Sequence, residues 1–444
     1  MSHSLSSVDL KDVPEILAQE PIRVRSIEKG MLWAFLIAGI LSLGFGLMDE
    51  TLVDTTWLCL HVNAVFWFDL AIASAGFSAV FHISNSQWSR PIRRLFESTS
   101  AAVFWFVIPL VALRFGYEHL FGWAHDPSAH NGRGMWLDED FLFTRVTVAA
   151  LLIAWLVWRI VKLSVARDIV SVRSGITGIN KDALSRWFDG KLNHYALGTD
   201  TQALATVEEK MSYSSPVVVI FYALCISVVA FDVVMSVDPH WYSTLFGALI
   251  FMSAVYSAVA WQAVCQNLAR DWHPIFRKKI ERRTLHDLGK LLFGFGIFWA
   301  YMFWSHYLTI WYGNIPEETH WVIVRLREEP WHGLAWLVLG CSFIIPFLLG
   351  LSRDLKQVPQ LLLATGVIVL FGQWLQIYLL IVPFHYPDII PLSVHQVLIT
   401  FGFMAALLLL QIRFLSRVPL IPFGDLYLTQ GSHAQAAHEA HGHA

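Results

Sequence analysis

A few ionisable side chains lie inside long apolar segments of this 444-residue sequence, and they are the first candidates for chemistry. His61 and Asp69 follow Trp57 in one such segment. A helix rises 1.5 Å per residue, which would place Asp69 roughly 18 Å below Trp57, near the middle of a bilayer. An ionisable group at that depth costs roughly 2.5–3.5 kcal/mol on insertion scales, so it predicts a functional role such as proton transfer. The alternative is a neutral carboxylic acid that hydrogen-bonds to a neighbouring helix.

A second set of polar side chains lies on the segment from 286 to 312. Tyr301 and Ser305 belong to a stripe that stays within an arc of about 80° on a helical projection. The stripe comprises Lys290, Gly294, Ile297, Tyr301, Ser305, Leu308 and Tyr312. Phenols and hydroxyls both donate and accept hydrogen bonds, as a quinone headgroup or a proton wire requires, and His306 lies on an adjoining face. A helix–helix seam, in which Gly and Ser allow close approach, is the alternative.

Charged groups also stand near the ends of the apolar segments. Glu97 opens one segment, and His286, Asp287 and Lys290 open another. These four are candidates for proton uptake, although a carboxylate in a first helical turn is also favoured by the helix dipole. Asp232 lies near the opposite end of a further segment, where it would continue the path outward. The residues predicted to contact quinone or to form the outer proton path are His61, Asp69, Asp232, Tyr301, Ser305 and His306.

The sequence gives no support for a metal or redox cofactor held by this chain. The cysteines Cys59, Cys225, Cys265 and Cys341 form no CxxC or CxxCH motif, which argues against an iron–sulfur cluster, a covalent haem and a structural zinc site. A b-type haem needs two axial histidines on facing helices, and no segment shows a suitable pair. The histidines near the end of the sequence could bind metal weakly, although a disordered tail is favoured. They are His433, His438, His441 and His443.

These side chains need long helices to position them. Hydrophobic residues make up 56% of the sequence and charged residues only 15%, against roughly 25% charged in soluble proteins. That composition excludes a soluble enzyme, a disordered protein and a nucleic-acid-binding protein. Ten stretches reach the length of about 20 residues that a span requires, so we predict an all-α integral membrane protein with ten transmembrane helices in a domain at 30–415. The stretches are 30–48, 57–81, 96–120, 141–162, 214–237, 241–266, 286–312, 331–351, 360–382 and 391–415.

Lys and Arg predict the orientation of the helices. With a cytoplasmic N-terminus, 26 of the 31 basic residues face the cytoplasm. The positive-inside rule favours that split, which places both termini in the cytoplasm. The N-terminal segment 1–29, the loop 163–213 and the histidine-rich tail 416–444 would then be cytoplasmic. The two longest outer loops, 121–140 and 313–330, are acidic.

An internal repeat relates the two halves of the membrane domain. Residues 54–57 (Asp-Thr-Thr-Trp) correspond to 238–241 (Asp-Pro-His-Trp) at an offset of 184, and the arginine pair at 93–94 corresponds to 282–283 at an offset of 189. We therefore predict two parallel four-helix bundles with two flanking helices, the repeat units being about 57–237 and 241–382. A ligand site at their junction would be typical of helical repeats. The alternative is that arginines and tryptophans merely mark the membrane interfaces.

Several motifs in the second unit resemble one known family. They are residues 238–247 (DPHWYSTLFG), 286–292 (HDLGKLL) and the run from 299–301 (WAY) through 311–319 (WYGNIPEET), joined by Arg93-Arg94 with Glu97. They are similar to one membrane subunit of alternative complex III, a bacterial quinol:cytochrome c (or high-potential iron protein) oxidoreductase. That subunit belongs to the polysulfide-reductase membrane-subunit (NrfD-like) superfamily. The close motifs cover mainly residues 238–319.

The resemblance implies a subunit that depends on partners in the bacterial inner (cytoplasmic) membrane. The expected partners are a paralogous ten-helix membrane subunit, an iron–sulfur subunit and multihaem and monohaem cytochrome c subunits. Haem c and the iron–sulfur clusters would lie in those partners, and this chain would hold none of them. Whether menaquinol or ubiquinol contacts this chain or its paralogue stays open, and the family supplies no residue-level quinol site to transfer.

The function expected from the sequence is thus a non-redox membrane subunit of a quinol:electron-acceptor oxidoreductase. It would anchor the respiratory complex and conduct protons or contact quinol. Two other classes stay open. The repeat and the midplane acid would also suit a stand-alone secondary transporter, and a purely structural scaffold would need the buried polar groups for stability only.

Overall fold

The computed structural model describes residues 22, 24–124, 134–175 and 200–422, and these residues form helices and loops with no β-strand. The histidine-rich tail, most of segment 1–29 and part of loop 163–213 lie outside the described residues. Within them, ten helices are long and apolar enough to cross a membrane, as predicted. We number them α1 (Ser26–Met48), α2 (Val53–Ile83), α3 (Arg90–Leu120), α4 (Glu139–Asp168), α5 (Ala205–Val237), α6 (Phe246–Trp272), α7 (Arg282–Gly313), α8 (Trp331–Leu351), α9 (Pro359–Phe384) and α10 (Val394–Leu415).

Three of these helices change their hydrogen-bonding pattern along their length. The α3 span consists of Arg90–Ser100, Val103–Ala112, Leu113–Gly116 and Tyr117–Leu120, and Pro109 lies inside its second piece. The others, α5 and α8, contain π-helical turns at Val229–Val234 and Gly340–Ile344. Such turns are frequent at functional sites because they displace backbone groups from the regular ladder. Shorter helices are Gly122–Ala124, Met235–Val237, Pro274–Lys279, Pro316–Leu326, Leu355–Gln357 and Val382–Phe384.

For description, the eight central spans are taken as a first group, α2–α5, and a second group, α6–α9, which also contact each other. In the first group α2 packs against α3 and α5, and α4 packs against α3 and α5. In the second group α6 packs against α7 and α9, and α8 packs against α7 and α9. The first helix of each group, α2 or α6, is almost entirely buried, and these two helices contact each other at the centre. The deepest positions of the protein therefore lie on α2 and α6.

The outer helices α1 and α10 pack together beside the first group. A Cβ atom on Gly39 would lie 2.7 Å from the Cα atom of Gly402, so only glycine allows this approach. Small residues are the usual means of close packing between membrane helices. Most of the remaining α1 surface is exposed and apolar, including Ile37, Leu41 and Phe45, as contact with lipid requires.

Candidate functional site

Asp69 is the most unusual side chain in the interior. It is 4% exposed, and neither carboxylate oxygen has a hydrogen-bond partner within the described ranges. It interacts electrostatically with Tyr222 and Cys225 of α5. The expected alternative, a carboxylic acid satisfied by a neighbouring helix, is therefore not what the geometry provides. An unpartnered buried carboxyl costs several kcal/mol when ionised, so it suits a group that holds and releases a proton.

His61 lies two helical turns from Asp69, toward the end where α2 begins. It is fully buried, and its Nε2–H donates to the backbone oxygen of Val233 at 2.9 Å. Val233 belongs to the π-helical turn of α5, so the irregular backbone supplies the acceptor. The other ring nitrogen, Nδ1, has no hydrogen-bond partner among the described residues. His61 therefore keeps one position open for proton exchange.

A second histidine connects His61 with the surface at the same end. His385 follows α9, interacts electrostatically with His61, and donates from Nε2 to the backbone oxygen of Leu120 at 3.1 Å. Burial lowers the pKa of His385, while the bond to Leu120 and the charge of Asp54 oppose the shift. Asp54 in turn accepts a hydrogen bond from His119 at 2.6 Å, and both of these side chains reach the surface. Electrostatic interactions, without direct hydrogen bonds among the described residues, thus relate the buried His61 to His385 and to Asp54 at the surface.

Asp232 occupies a different environment from the one that the sequence suggested. It accepts hydrogen bonds from Trp136 Nε1 at 3.1 Å and from Arg145 Nε at 3.0 Å. The Arg145 guanidinium carbon lies 3.8 Å from the centroid of the Trp136 ring and 4.4 Å from that of Phe141. Both carboxylate oxygens are thus engaged, which favours a structural role that ties α5 to α4.

We expect Asp232→Asn to destabilise the protein by about 2 kcal/mol, because it removes a charged hydrogen bond from a buried site. Proton or electron transfer per assembled complex should stay at the wild-type level. The free energy of unfolding in mixed detergent micelles measures the first effect, and turnover per assembled complex measures the second. If Asp232→Asn is as stable as the wild type but has a lower turnover, Asp232 takes part in proton transfer and its role is not only structural.

At the end where α2 finishes, Glu97 lies in a buried ion-pair network. Arg94 of α3 bonds both to Glu97 on its own helix and to Asp168 on α4. Ser164 adds a hydrogen bond to Glu97 at 2.7 Å. Arg94 and Asp168 are fully buried and Glu97 is 2% exposed. The predicted uptake residue is therefore enclosed and paired with a cation.

A second set of charged contacts near this end joins α4, α5 and α2. Arg167 of α4 lies 3.3 Å from Glu208 of α5, and Glu208 lies 4.0 Å from His82 of α2. A small cavity of about 10 Å³ adjoins this network and is lined by His82, Arg93 and Glu97 among others. That volume is about the minimum that holds one water molecule. The cavity therefore lies between Glu97 and His82, one residue from each set.

The polar stripe of α7 points out of the bundle. Tyr301 is 60% exposed and Tyr312 85%, while Ser305 is partly buried. Asp69 is therefore enclosed within the protein, whereas Tyr301 faces outward. At the start of α7, Lys290 donates to Asp287 at 3.0 Å, and His286 lies beside them. These three residues are at the surface of the second group, apart from the buried Glu97.

His306 lies on the inward face of α7, at a cavity of about 40 Å³. Its Nε2 atom and the Nε2 atom of Gln376 are both buried without a hydrogen-bond partner in the described parts of the chain. The Gln376 oxygen accepts from Ser253 at 3.1 Å and from Trp299 at 2.9 Å. The cavity is lined mainly by apolar side chains, but its volume can hold ordered water beside these two nitrogen atoms, with roughly 10–15 Å³ needed per molecule. The second group therefore has its own buried polar centre, distinct from Asp69.

Arg325, on the short helix Pro316–Leu326, is a buried cation that the sequence placed in an outer loop. Its guanidinium donates to the backbone oxygens of Leu379 at 3.1 Å and Leu380 at 2.9 Å. Pro383 explains this arrangement, because it has no N–H to donate to the oxygen of Leu379 four residues earlier. Burial lowers the pKa of Arg325 to about 9, opposed by the charge of Asp238, so the side chain is cationic at neutral pH.

Two tryptophans complete the surroundings of Arg325, and one of them, Trp241, belongs to the motif at 238–247. The guanidinium carbon lies 3.9 Å from the centroid of the Trp321 ring, and Trp321 stacks on Trp241 at 3.9 Å. Trp241 also contacts the ring of His306. Trp321, which lines the cavity at His306, thus lies between Arg325 and Trp241.

Replacing Arg325 by Met should lower the free energy of unfolding by about 3 kcal/mol, since buried carbonyl groups lose their donors. The neighbouring Arg327 is exposed, so Arg327→Met is the matched control and should have almost no effect. Thermal unfolding of the purified protein measures both. Equal stability of the two variants would contradict the assigned role of Arg325.

The described residues contain no group of three or more His, Cys, Asp and Glu side chains placed to hold a metal ion. In comparisons with known proteins, neither any protein-family model nor any curated protein matches this chain.

Proposed function

We propose that this chain is an integral membrane subunit of a bacterial respiratory quinol:electron-acceptor oxidoreductase, and that it conducts protons through its first helix group. The observation that carries the proposal is Asp69, a buried carboxyl halfway along the central helix to which no described residue donates a hydrogen bond. The motif run at 238–319 supports the type of complex. Quinol oxidation releases protons together with electrons, so a subunit without redox cofactors can serve by carrying protons.

The proposed path has an inner and an outer half. The inner half runs from the network of Glu97 toward Asp69, and the outer half from Asp69 past His61 and His385 to Asp54. Asp69 and His61 are eight residues apart, about 12 Å along the helix, so groups between them must relay the proton. Burial lowers the pKa of His385, so a proton that reaches this imidazole would be held weakly and passed on toward Asp54.

The proposed orientation in the membrane follows from the distribution of basic residues. Two parallel four-helix bundles, with both termini in the cytoplasm of a bacterial inner membrane, agree with the helix contacts and with the basic residues. All four native cysteines are buried, so single introduced cysteines can report the orientation. Arg353→Cys should react only from the cytoplasmic side and Glu317→Cys only from the outer side. The reverse pattern would invert the proposed topology.

The partners in this proposal are the paralogous ten-helix subunit, an iron–sulfur subunit and multihaem and monohaem cytochrome c subunits. The exposed carboxylates of Glu317, Glu328 and Glu329 lie on the outer side and offer a docking surface. Menaquinol or ubiquinol would be oxidised within that assembly, and haem c and iron–sulfur clusters would remain in the partners.

Affinity purification of the full-length chain from its native membrane tests the proposal. We expect haem-containing and iron–sulfur proteins to co-purify at fixed stoichiometry and the preparation to oxidise quinol. A stand-alone secondary transporter is the rival function, since a buried carboxyl within repeated helical groups is also typical of proton-coupled transport. A chain that purifies alone and catalyses proton-coupled uptake in vesicles would establish that rival.

A further inference from the structure

A narrow groove of about 30 Å³ lies between α7, α8 and α9. It runs along α7 from Gly289 to Ile297, about 12 Å of helix. Its walls are mainly aromatic and aliphatic, including Phe293, Phe343 and Phe347. Ile297 is 42% exposed, so the groove reaches the lateral surface that faces the membrane.

The polar atoms in the groove already have partners. The hydroxyl of Tyr256 donates to the backbone oxygen of Ser342 at 3.0 Å, in the π-helical turn of α8. The hydroxyl of Thr365 donates to the backbone oxygen of Leu361 at 2.8 Å. The cavity beside His306 differs, because two of its lining residues, His306 and Gln376, each have an Nε2 atom without a hydrogen-bond partner among the described residues. The groove therefore suits an apolar chain better than water.

The end of the groove near the start of α7 is cationic. Lys356 lines it, and its ammonium lies 5.1 Å from the centroid of the Phe293 ring and donates to the backbone oxygen of Gly350 at 2.7 Å. Gly289 allows this position, since a Cβ atom there would lie 2.9 Å from the Cβ atom of Lys356. Arg353 is exposed. It lies near Lys356, since Arg353 and Lys356 both act electrostatically on His286.

Two acids lie close to this cationic end. Asp287 is bonded to Lys290, which leaves Arg353 and Lys356 as the cations beside the groove. Asp354 lines a separate open depression together with Arg270, and it does not line the groove. A positive end therefore adjoins an apolar channel that opens sideways into the membrane.

We propose that this groove binds an anionic phospholipid, with the phosphate against Arg353 and Lys356 and one acyl chain lying along the open, lipid-facing side of the groove at Ile297. The charge of the headgroup matches the two cations, and the acyl chain matches the apolar walls. Basic pockets between membrane helices at the cytoplasmic face are a recognised form of lipid site. Free phosphate could satisfy the cations but would leave the groove without an occupant. The site is independent of the proposed proton path.

The test uses the full-length chain with its associated subunits in nanodiscs. The probes are phosphatidylglycerol and phosphatidylcholine, each with a photoreactive group on one acyl chain, and crosslinked peptides are identified by mass spectrometry. We expect phosphatidylglycerol to label residues of 289–297 and 343–365 far more than phosphatidylcholine does. Arg353→Gln with Lys356→Gln should weaken that labelling by about 30-fold, because each basic residue near an anionic surface contributes about fivefold.

Matched variants separate binding from folding. Arg413→Gln with Arg417→Gln removes the same charge from exposed positions at the same end of the bundle and should leave labelling unchanged. Lys356→Arg should preserve it, and Ile297→Trp should block the groove for both lipids. Equal labelling by the two lipids, crosslinks confined to other helices, or displacement of phosphatidylglycerol by millimolar inorganic phosphate would each overturn the proposal.

Discussion

Replacing Arg94 by Met is expected to cost about 3–5 kcal/mol of the free energy of unfolding, more than any other single change at that end of the protein. Arg94 is fully buried and bonds to Glu97 and Asp168, which belong to two different helices. Without the guanidinium, two buried carboxylates face each other with no cation between them. Removing one partner from a buried ion-pair network is costly for this reason. Unfolding in mixed detergent micelles, followed by intrinsic fluorescence, provides the measurement.

A compensated variant distinguishes the lost charge balance from lost packing. Arg94→Met combined with Glu97→Gln and Asp168→Asn removes all three charges, and we expect it to recover at least half of the lost stability. The same variant tests the inner half of the proton path. If the assembled complex keeps wild-type proton release, Glu97 does not take up protons, and its role is structural.

The presence of ten spans could be predicted because it depends on local composition. Each stretch of about 20 apolar residues satisfies the length requirement without reference to its neighbours. The position of Asp69 near the middle of a long helix could be predicted in the same way, from its distance to Trp57. Its missing hydrogen-bond partner could not, since that depends on which side chains α5 presents to α2.

Periodicity identified a polar stripe on α7 but not the direction in which the stripe points. A stripe that contains Tyr301 fits a buried path and an outward face equally well, and only packing against the other helices decides between them. In α7 the packed face carries Gly289, Trp299 and His306, while Tyr301 is exposed. The amphipathic pattern of a membrane helix is therefore weaker evidence than that of a soluble helix, because lipid and protein interiors are both apolar.

Arg325 and His385 were missed for a common reason. Both lie in connections between spans, where charged side chains are expected at the surface. A signal for Arg325 was present in Pro383, which leaves a helical carbonyl oxygen without its usual donor. No comparable signal exists for His385, whose position depends on the contact between the end of α9 and the end of α3.

Asp69→Asn is expected to lower proton-coupled quinol oxidation by about 100-fold, within the range that a proton-transferring side chain contributes. Asn has nearly the same shape and cannot exchange a proton. Neither carboxylate oxygen of Asp69 accepts a hydrogen bond from the described residues, so the substitution breaks none. Stability should therefore stay the same or rise, since an ionisable group is removed from the membrane interior. Turnover and proton release are measured on complexes purified with a full set of subunits.

Asp232→Asn is the matched control for this experiment because the two variants should give opposite results. Asp232 is bonded to Arg145 and Trp136, so its loss should reduce stability and leave turnover per complex unchanged. Asp69 has no such bonds, so its loss should reduce turnover and leave stability unchanged. A scaffold in which both carboxyls serve only packing would show no loss of turnover in either variant. Wild-type turnover in an assembled Asp69→Asn complex would exclude the path through the first helix group. The cavity at His306 would then be the remaining candidate for a proton path.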